Sequence, residues 1–218
     1  MSTGMDSAGF INPETTGDTG PTEPQPNGAQ CANNDECTSG YCYQVPQVGG
    51  VCSECLMDAD CGTGTCSLDL NMLYALCTDG SAGNMCDSDE GCMGDLVCTE
   101  LIDTGGLINL SFCSECGPTA PCDMGTTCSP EYDATGISGT FNCVDPMSVE
   151  NGGGCPIDNG VGDGSVCADG FCEPVDVFMG FVQLGICGEC IEDSDCTGQM
   201  TCQGGTADMS GITGSTCI

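Results

Sequence analysis

Three joints, Cys52-Ser-Glu-Cys55, Cys113-Ser-Glu-Cys116 and Cys187-Gly-Glu-Cys190, hold the first residues whose types and spacing could do chemistry. Close thiols can ligate zinc or form a redox dithiol. Zinc fingers need paired knuckles or histidines at suitable spacing, and neither occurs here. A thioredoxin-like site needs a βαβ setting, for which there is no pattern. The joints therefore read as structural disulfide cysteines.

Carboxylates are the other candidates. Leu101-Ile-Asp103-Thr-Gly105 matches the apolar-apolar-Asp-Thr-Gly signature of aspartic proteases. That chemistry needs two facing carboxylates sharing a proton. The second Asp-Thr-Gly, at Asp18, lacks the apolar flank, so Asp103 reads as a hairpin-turn residue. Alternate acids recur after a cysteine in Asp58-Ala-Asp60, Asp87-Ser-Asp89 and Asp193-Ser-Asp195. Ca²⁺ takes six to eight oxygens, and such spacing could supply some of them. None of these runs, nor the insertion Asp158-Asn-Gly-Val-Gly-Asp163, fits an EF-hand loop, and Asx turns explain the same residues. Asp58, Asp60, Asp87, Asp89, Asp193 and Asp195 are thus Ca²⁺ candidates set against solvated turns, and Ca²⁺ is the one cofactor left open.

The chain has no Lys, Arg or His against 33 acids, a net charge of −33. Nucleophile–base triads and phosphate loops are unavailable, so no enzyme is expected. Nucleic acid is excluded as a direct partner, because phosphate contacts need protein cations, and insertion at an anionic membrane is disfavoured for the same reason. Stability is expected to rise with salt or Ca²⁺, since the charge has no internal counterpart.

What must position these residues is a repeat. Residues 86–143 read C-x5-C-x5-C-x14-C, two residues, then the same spacing again, with Cys86, Cys92, Cys98, Cys113, Cys116, Cys122, Cys128 and Cys143. Residues 31–77 repeat the scheme with shorter loops. Residues 155–217 repeat it with one long first loop. Six four-cysteine half-repeats in three eight-cysteine modules use all 24 cysteines. Fewer than about 70 residues per module leaves a marginal apolar core, so disulfides must supply stability, roughly 2–4 kcal/mol each. Such a chain belongs in an oxidising place, extracellular or at a cell surface.

The fold class expected is a small disulfide-rich, elongated protein of β-hairpins and loops, without helices. Apolar residues gather between the third and fourth cysteine of each half-repeat, predicting six hairpins. Residues 100–112 read as strands about Asp103-Thr-Gly-Gly, and residues 175–184 as strands about Met179-Gly180. Leu68, Leu70, Met72, Tyr74 and Leu76 alternate like a half-buried strand or ribbon. Spacing alone does not fix disulfide connectivity. First-to-third and second-to-fourth pairing is favoured because it closes each half on itself, and pairing inside the joints is disfavoured.

Residues 1–30 form a cysteine-free arm rich in Gly, Pro, Thr and Ser, read as an extended linker, with O-glycans on its hydroxyls one option. Phe10 and Ile11 are its lone apolar pair. Asn109-Leu-Ser111 is an N-glycosylation sequon. There is no basic n-region with an apolar h-region, so a mature form, or one given without its leader, is expected. No apolar run approaches a membrane span.

Short acidic gaps, a Gly-containing turn and a hairpin returning to the fourth cysteine resemble the tandem disulfide-rich repeats of secreted bacterial proteins, abundant in myxobacteria. Those often carry a Thr/Gly/Asp/Pro-rich stalk, like residues 14–21 here. The spacing is also similar to the cysteine-rich arms of Dickkopf-like proteins. The resemblance covers residues 31–218, and the long Cys155–Cys167 gap and the acid-free Cys116–Cys122 gap depart from it. It implies fold more than function. The function expected is a structural subunit that assembles with itself head to tail, anchored by Phe10 and Ile11. The alternative is a monomeric binding or adhesion module with the arm as stalk.

Overall fold

The structure, a computed structural model, describes residues 23–45, 49–69, 72–102, 110–133, 138–158, 160–177, 180, 182–208 and 211–218. Its strands, in chain order, are β1 (Gln30–Cys31), β2 (Cys42–Val45), β3 (Gly49–Cys52), β4 (Cys66–Asp69), β5 (Tyr74–Cys77), β6 (Val97–Glu100), β7 (Ser111–Ser114), β8 (Thr127–Tyr132) and β9 (Gly139–Val144). They continue with β10 (Ile157–Asp158), β11 (Val161–Gly162), β12 (Phe171–Val177), β13 (Val182–Gly188), β14 (Cys202–Gln203), β15 (Thr206–Asp208), β16 (Gly211–Thr213) and β17 (Thr216–Cys217). Among the described residues the helical segments are short 3-10 turns.

Each half-repeat is one antiparallel hairpin, and its third and fourth cysteines face each other across the strands. The pairs are Cys42↔Cys52, Cys66↔Cys77, Cys98↔Cys113, Cys128↔Cys143, Cys172↔Cys187 and Cys202↔Cys217. These partners are not bonded to each other. The third cysteine reaches back to the first and the fourth to the second, in all six halves. Two cystines therefore straddle each hairpin base and clasp the loop ahead of it. No bond forms inside a joint, and no cysteine is free.

Three additions go beyond six plain hairpins. Strand β1 joins β3 to make a three-stranded sheet, β15 and β16 extend the last hairpin, and β10 and β11 form a ribbon inside the long Cys155–Cys167 loop. Of the strand or ribbon expected over Leu68 to Leu76, the structure forms the ribbon, β4 paired with β5, and the alternation does not run through it. Ala75 is fully buried, Leu68 and Leu76 are half-buried, and Met72 is 57% exposed. The chain reverses before Tyr74, with Leu73 in the left-handed region at φ 57°. A turn resets which parity faces inward, so alternation cannot run through it.

The core has two characters. In residues 31–77 it is nearly all sulfur: one cluster is Cys37, Cys42 and Cys52, and the other is Cys55, Cys66 and Ala75 with Tyr43 against it. Beyond residue 86 an apolar cluster joins Leu101, Ile102, Leu110 and Phe112 to Val175, Val177, Val182, Leu184 and Ile186. Tyr132, Phe141, Ala207 and Ile212 pack on its flanks. Hairpins of four different half-repeats thus share one core, across the sequence boundary between the second and third modules.

Candidate functional site

The acidic gaps turn out to be built around backbone amides. Three residues before the second cysteine, a side-chain oxygen accepts the N–H of the third cysteine. Cys42 donates to Asn34 Oδ1 at 2.8 Å, Cys66 to Asp58 Oδ1 at 2.9 Å, Cys98 to Asp89 Oδ1 at 2.8 Å and Cys202 to Asp193 Oδ1 at 2.9 Å. One residue before the second cysteine, a second acid caps the start of the loop. Leu56 and Met57 donate to Asp60 Oδ2 at 2.8 and 3.1 Å, and Ile191 and Glu192 to Asp195 Oδ2, both at 2.9 Å. These amides hold the Asp195 carboxyl below its ordinary value. The alternation in Asp58-Ala-Asp60 and Asp193-Ser-Asp195 follows, one oxygen facing the hairpin and the next the loop, whereas in Asp87-Ser-Asp89 only Asp89 holds one of these positions. The fourth half, Cys116-Gly-Pro-Thr-Ala-Pro-Cys122, has no such acids and shows bends where the other five halves have a 3-10 turn.

Asp58 and Asp87, both Ca²⁺ candidates, are brought together. Asp58 is 7% exposed, and its Oδ2 accepts the N–H groups of Asp87 at 2.8 Å and Ser88 at 3.1 Å, in the next module. In that module the local capping position is Gly91. A Cβ there would lie 2.7 Å from Asp58 Oδ2, so the glycine leaves room for the foreign carboxylate. Partial desolvation, then the Asp58 charge, raises the Asp87 carboxyl above its ordinary value. Tyr43 is raised by burial first and by Asp87 second.

The glutamates of the three joints are equally committed. Glu54, Glu115 and Glu189 accept the N–H of Cys77, Cys143 and Cys217, the last cysteine of each module, at 3.2, 2.9 and 3.0 Å. Their own N–H groups bond Ala75, Phe141 and Ser215 carbonyls at 2.8, 2.9 and 2.9 Å. Thus the joint stitches the two halves of a module together, which is why Glu recurs there.

A further repeated element lies ahead of each module. Gly28, Gly83 and Gly152, each three residues before a first cysteine, have φ of 87°, 84° and 89°. Each donates to the fourth cysteine of its half, Cys52, Cys113 or Cys187, at 2.8, 2.9 and 2.8 Å. A left-handed turn is required there, and glycine adopts it at little steric cost. The signal was in the sequence as three equally placed glycines, two preceded by Asn. On this geometry the first module begins within the arm: Gln25 donates to Glu36 at 2.6 Å and accepts from Thr38 at 2.8 Å.

A hollow of about 520 Å³ lies where the second and third modules meet. Leu101, Pro130, Tyr132, Phe141, Pro156 and Ile157 line it together with the polar side chains of Glu100 and Gln183. Burial pushes the Tyr132 phenol up to about 12, against a weaker opposing bond from the Gly185 backbone. A second hollow of about 560 Å³ shares Pro156 and Ile157 and runs past Val161, which is 71% exposed. Residues of the β10–β11 ribbon line both, so the insertion that breaks the repeat also contributes to their walls.

Clustered cysteines that could resemble metal ligands are all in disulfides and offer no thiolate. Leu101 and Ile102 of the protease-like motif are core residues, while Asp103, the sequon Asn109 and the anchors Phe10 and Ile11 lie outside the described residues. No helix among the described residues is long and apolar enough to cross a membrane. Compared with known proteins, the chain matches no protein-family model, no curated protein and no solved structure.

Proposed function

We propose that this protein is an extracellular structural subunit that assembles head to tail with copies of itself through its N-terminal arm, with Phe10 and Ile11 as anchor. The observation that carries the reading is the directional contact repeated at both internal junctions. The Ser67 hydroxyl donates to the Met85 carbonyl at 2.9 Å, and the Ser129 hydroxyl to the Gly154 carbonyl at 3.0 Å. In each case the residue after a third cysteine meets the residue before the next module's first cysteine. A chain whose modules already follow one another by the same contact suits a rigid element of a longer assembly. Twelve disulfides fit an oxidising compartment, and the resemblance to secreted bacterial repeats agrees with that setting.

Native mass measurement and electron microscopy of the full chain, at high protein concentration and high salt, test the reading. Open-ended oligomers are expected, and Phe10→Asp with Ile11→Asp should leave folded monomers. A native monomer under those conditions, or double variants that polymerise normally, overturns it. The hollow between the second and third modules favours a second reading, a monomeric cell-surface binding module with the arm as stalk. Ca²⁺ belongs to that second reading, and saturable binding that salt does not mimic is its sign.

A further inference from the structure

Residues 31–77 and residues 86–217 are held together by different means. We infer that the first module is a redox-labile head, whose four disulfides a dithiol opens before the other eight. Reduction unfolds residues 31–77 and frees the base of the arm, while the second and third modules stay oxidised and folded. Such a head requires no self-assembly, and it gives the assembly proposed above a means of release.

A bridge resists reduction when the reduced chain still folds and holds the two thiols together. Where the fold depends on the bridge, reduction and unfolding run together. In residues 31–77 the buried clusters are Cys37, Cys42 and Cys52, and Cys55, Cys66 and Ala75. Among the described residues, the only other buried apolar side chain there is Val51. Reduction turns that sulfur core into separate thiols and leaves no apolar layer behind it. Beyond residue 86, the cluster around Phe112, Leu184 and Ile186 contains no cysteine. Cysteines also cluster at the base of the β12–β13 hairpin, but with Val166, and the rest of that hairpin lies in the apolar cluster. Phe141 and Ile212 lean the fourth and sixth hairpins on the same cluster. Exposure does not single out the first module: Cys122–Cys143 and Cys196–Cys217 are half-buried at both ends, as Cys61–Cys77 is.

Two contacts join the labile bridges to the arm and to the next module. Gln25, at the base of the arm, bonds the backbones of Glu36 and Thr38 on either side of Cys37, so opening Cys37–Cys52 releases it. Asp58 caps Cys66 together with Asp87 and Ser88, so opening Cys55–Cys66 withdraws the cap from the second module. The loosening ends there, because no described residue of 31–77 enters the apolar cluster. At each bridge a dithiol thiolate attacks one sulfur, a mixed disulfide forms and one cysteine leaves as thiolate. The reagent's second thiol closes on the mixed disulfide and departs as a cyclic disulfide. Both cysteines take up protons as thiols, two electrons having passed to the bridge.

The test equilibrates the full chain, without air, in neutral buffers of rising reduced-to-oxidised dithiothreitol ratio, then traps thiols with N-ethylmaleimide for peptide mapping. Thiols of residues 31–77 are expected at a ratio roughly tenfold or more below that needed for residues 86–217. At that ratio hydrogen exchange should rise across residues 31–77 and at Asp87 and Ser88, and stay slow at Phe112 and Ile186. Reduction of all the bridges together, or thiols appearing first in residues 86–217, overturns the inference. Leu184→Ala should narrow the gap. Because that variant disturbs the fold, Ile186→Val serves as a milder partner with a smaller narrowing. A gap indifferent to both shows that the apolar cluster is not the protection, and overturns the inference as well. Native mass measurement in the same buffers should show oligomers dispersing at the ratio that opens residues 31–77. A chain monomeric throughout overturns the assembly alone, and oligomers that persist with residues 31–77 reduced overturn the release of the arm.

Discussion

The two internal junctions begin with the same serine-to-carbonyl hydrogen bond and then diverge. Between the first and second modules the contact is polar: Asp58 reaches across to the amides of Asp87 and Ser88. Between the second and third it is a shared apolar core including Phe112, Leu184 and Ile186. Hairpin length explains the difference. The first module has 9 and 10 residues between third and fourth cysteines, whereas every later half has 14. Short hairpins end just beyond their cystines and bury little besides sulfur. Longer ones carry apolar residues past the disulfide base, where hairpins of different halves meet. The covalent clasp is constant, and the arm that projects from it decides whether modules join by side-chain packing or by a hydrogen-bonded carboxylate.

The largest effect should come from cutting the apolar junction. Leu184 is fully buried in the shared cluster, and Leu184→Ala should cost about 2–5 kcal/mol. Hydrogen exchange should rise in both the second and third modules, since both contribute walls, and stay unchanged in residues 31–77. Faster exchange confined to residues 155–217 would show that the two modules do not share stability.

Breaking the polar junction should cost less and can be repaired locally. Asp58→Ala leaves the N–H groups of Cys66, Asp87 and Ser88 without their acceptor, at about 1–3 kcal/mol for each one that stays buried and unpaired. Gly91→Asp alone should also destabilise, because its Cβ would meet the Asp58 carboxylate. Combined, the two should be less harmful than their sum: the carboxylate introduced by Gly91→Asp can cap its own loop as Asp60 and Asp195 do. Thermal melts of the two single variants and the double variant measure this, and simple additivity would refute the exchange of caps.

Much of this architecture was legible in the sequence, and the exceptions share a cause. Spacing marked the hairpins and made self-closing disulfides the favoured choice, because cysteine positions record local chain geometry. The core hairpins were visible in Leu101, Ile102, Val175 and Leu184 for the same reason. Asp58 was marked as an acid of a recurring gap, but its bond to Asp87 spans 29 residues and depends on the missing side chain of Gly91. Nothing local distinguishes it from Asp193, whose partner is nine residues away. The hollow beside Ile157 was equally hidden, since it forms only when hairpins from two modules meet. The lengthened loop was noticed as a departure, and its ribbon was not foreseen because β10 and β11 are only two residues each.

A tyrosine at each junction sharpens the contrast by titration. Tyr132, beside the apolar core, is raised to about 12 from an ordinary 10.0. The folded protein then holds a proton that the unfolded chain releases, so stability is unaffected below about pH 10 and falls as pH rises from 10 toward 12. A shift of this size corresponds to about 3 kcal/mol. Tyr132→Phe should remove that alkaline loss, as read from melting temperatures of the two proteins at neutral and alkaline pH. Tyr43, at the polar junction, is also raised, by burial and by Asp87. Its variant Tyr43→Phe should shift the alkaline limb in the same direction. A Tyr132→Phe protein that loses stability at high pH as steeply as the parent would show that the phenol is not desolvated.

The smallest effect should come from an acid that caps its own loop. Asp195 accepts the amides of Ile191 and Glu192 just as Asp58 accepts those of Asp87 and Ser88, but it does so within one half-repeat and at a partly exposed site. Those amides lower its folded value below that of the unfolded chain. Its contribution is therefore present above the ordinary aspartate range and is lost as pH falls through the lowered folded value. Exposure screens the interaction, so Asp195→Asn should leave global stability nearly unchanged at neutral pH and speed exchange only at Ile191 and Glu192. Asp58 supplies the contrast: its cap joins two modules, and its removal should be felt at both Cys66 and Ser88. If Asp195→Asn also loosened distant modules, the distinction between a local cap and a cap shared across a junction would fail.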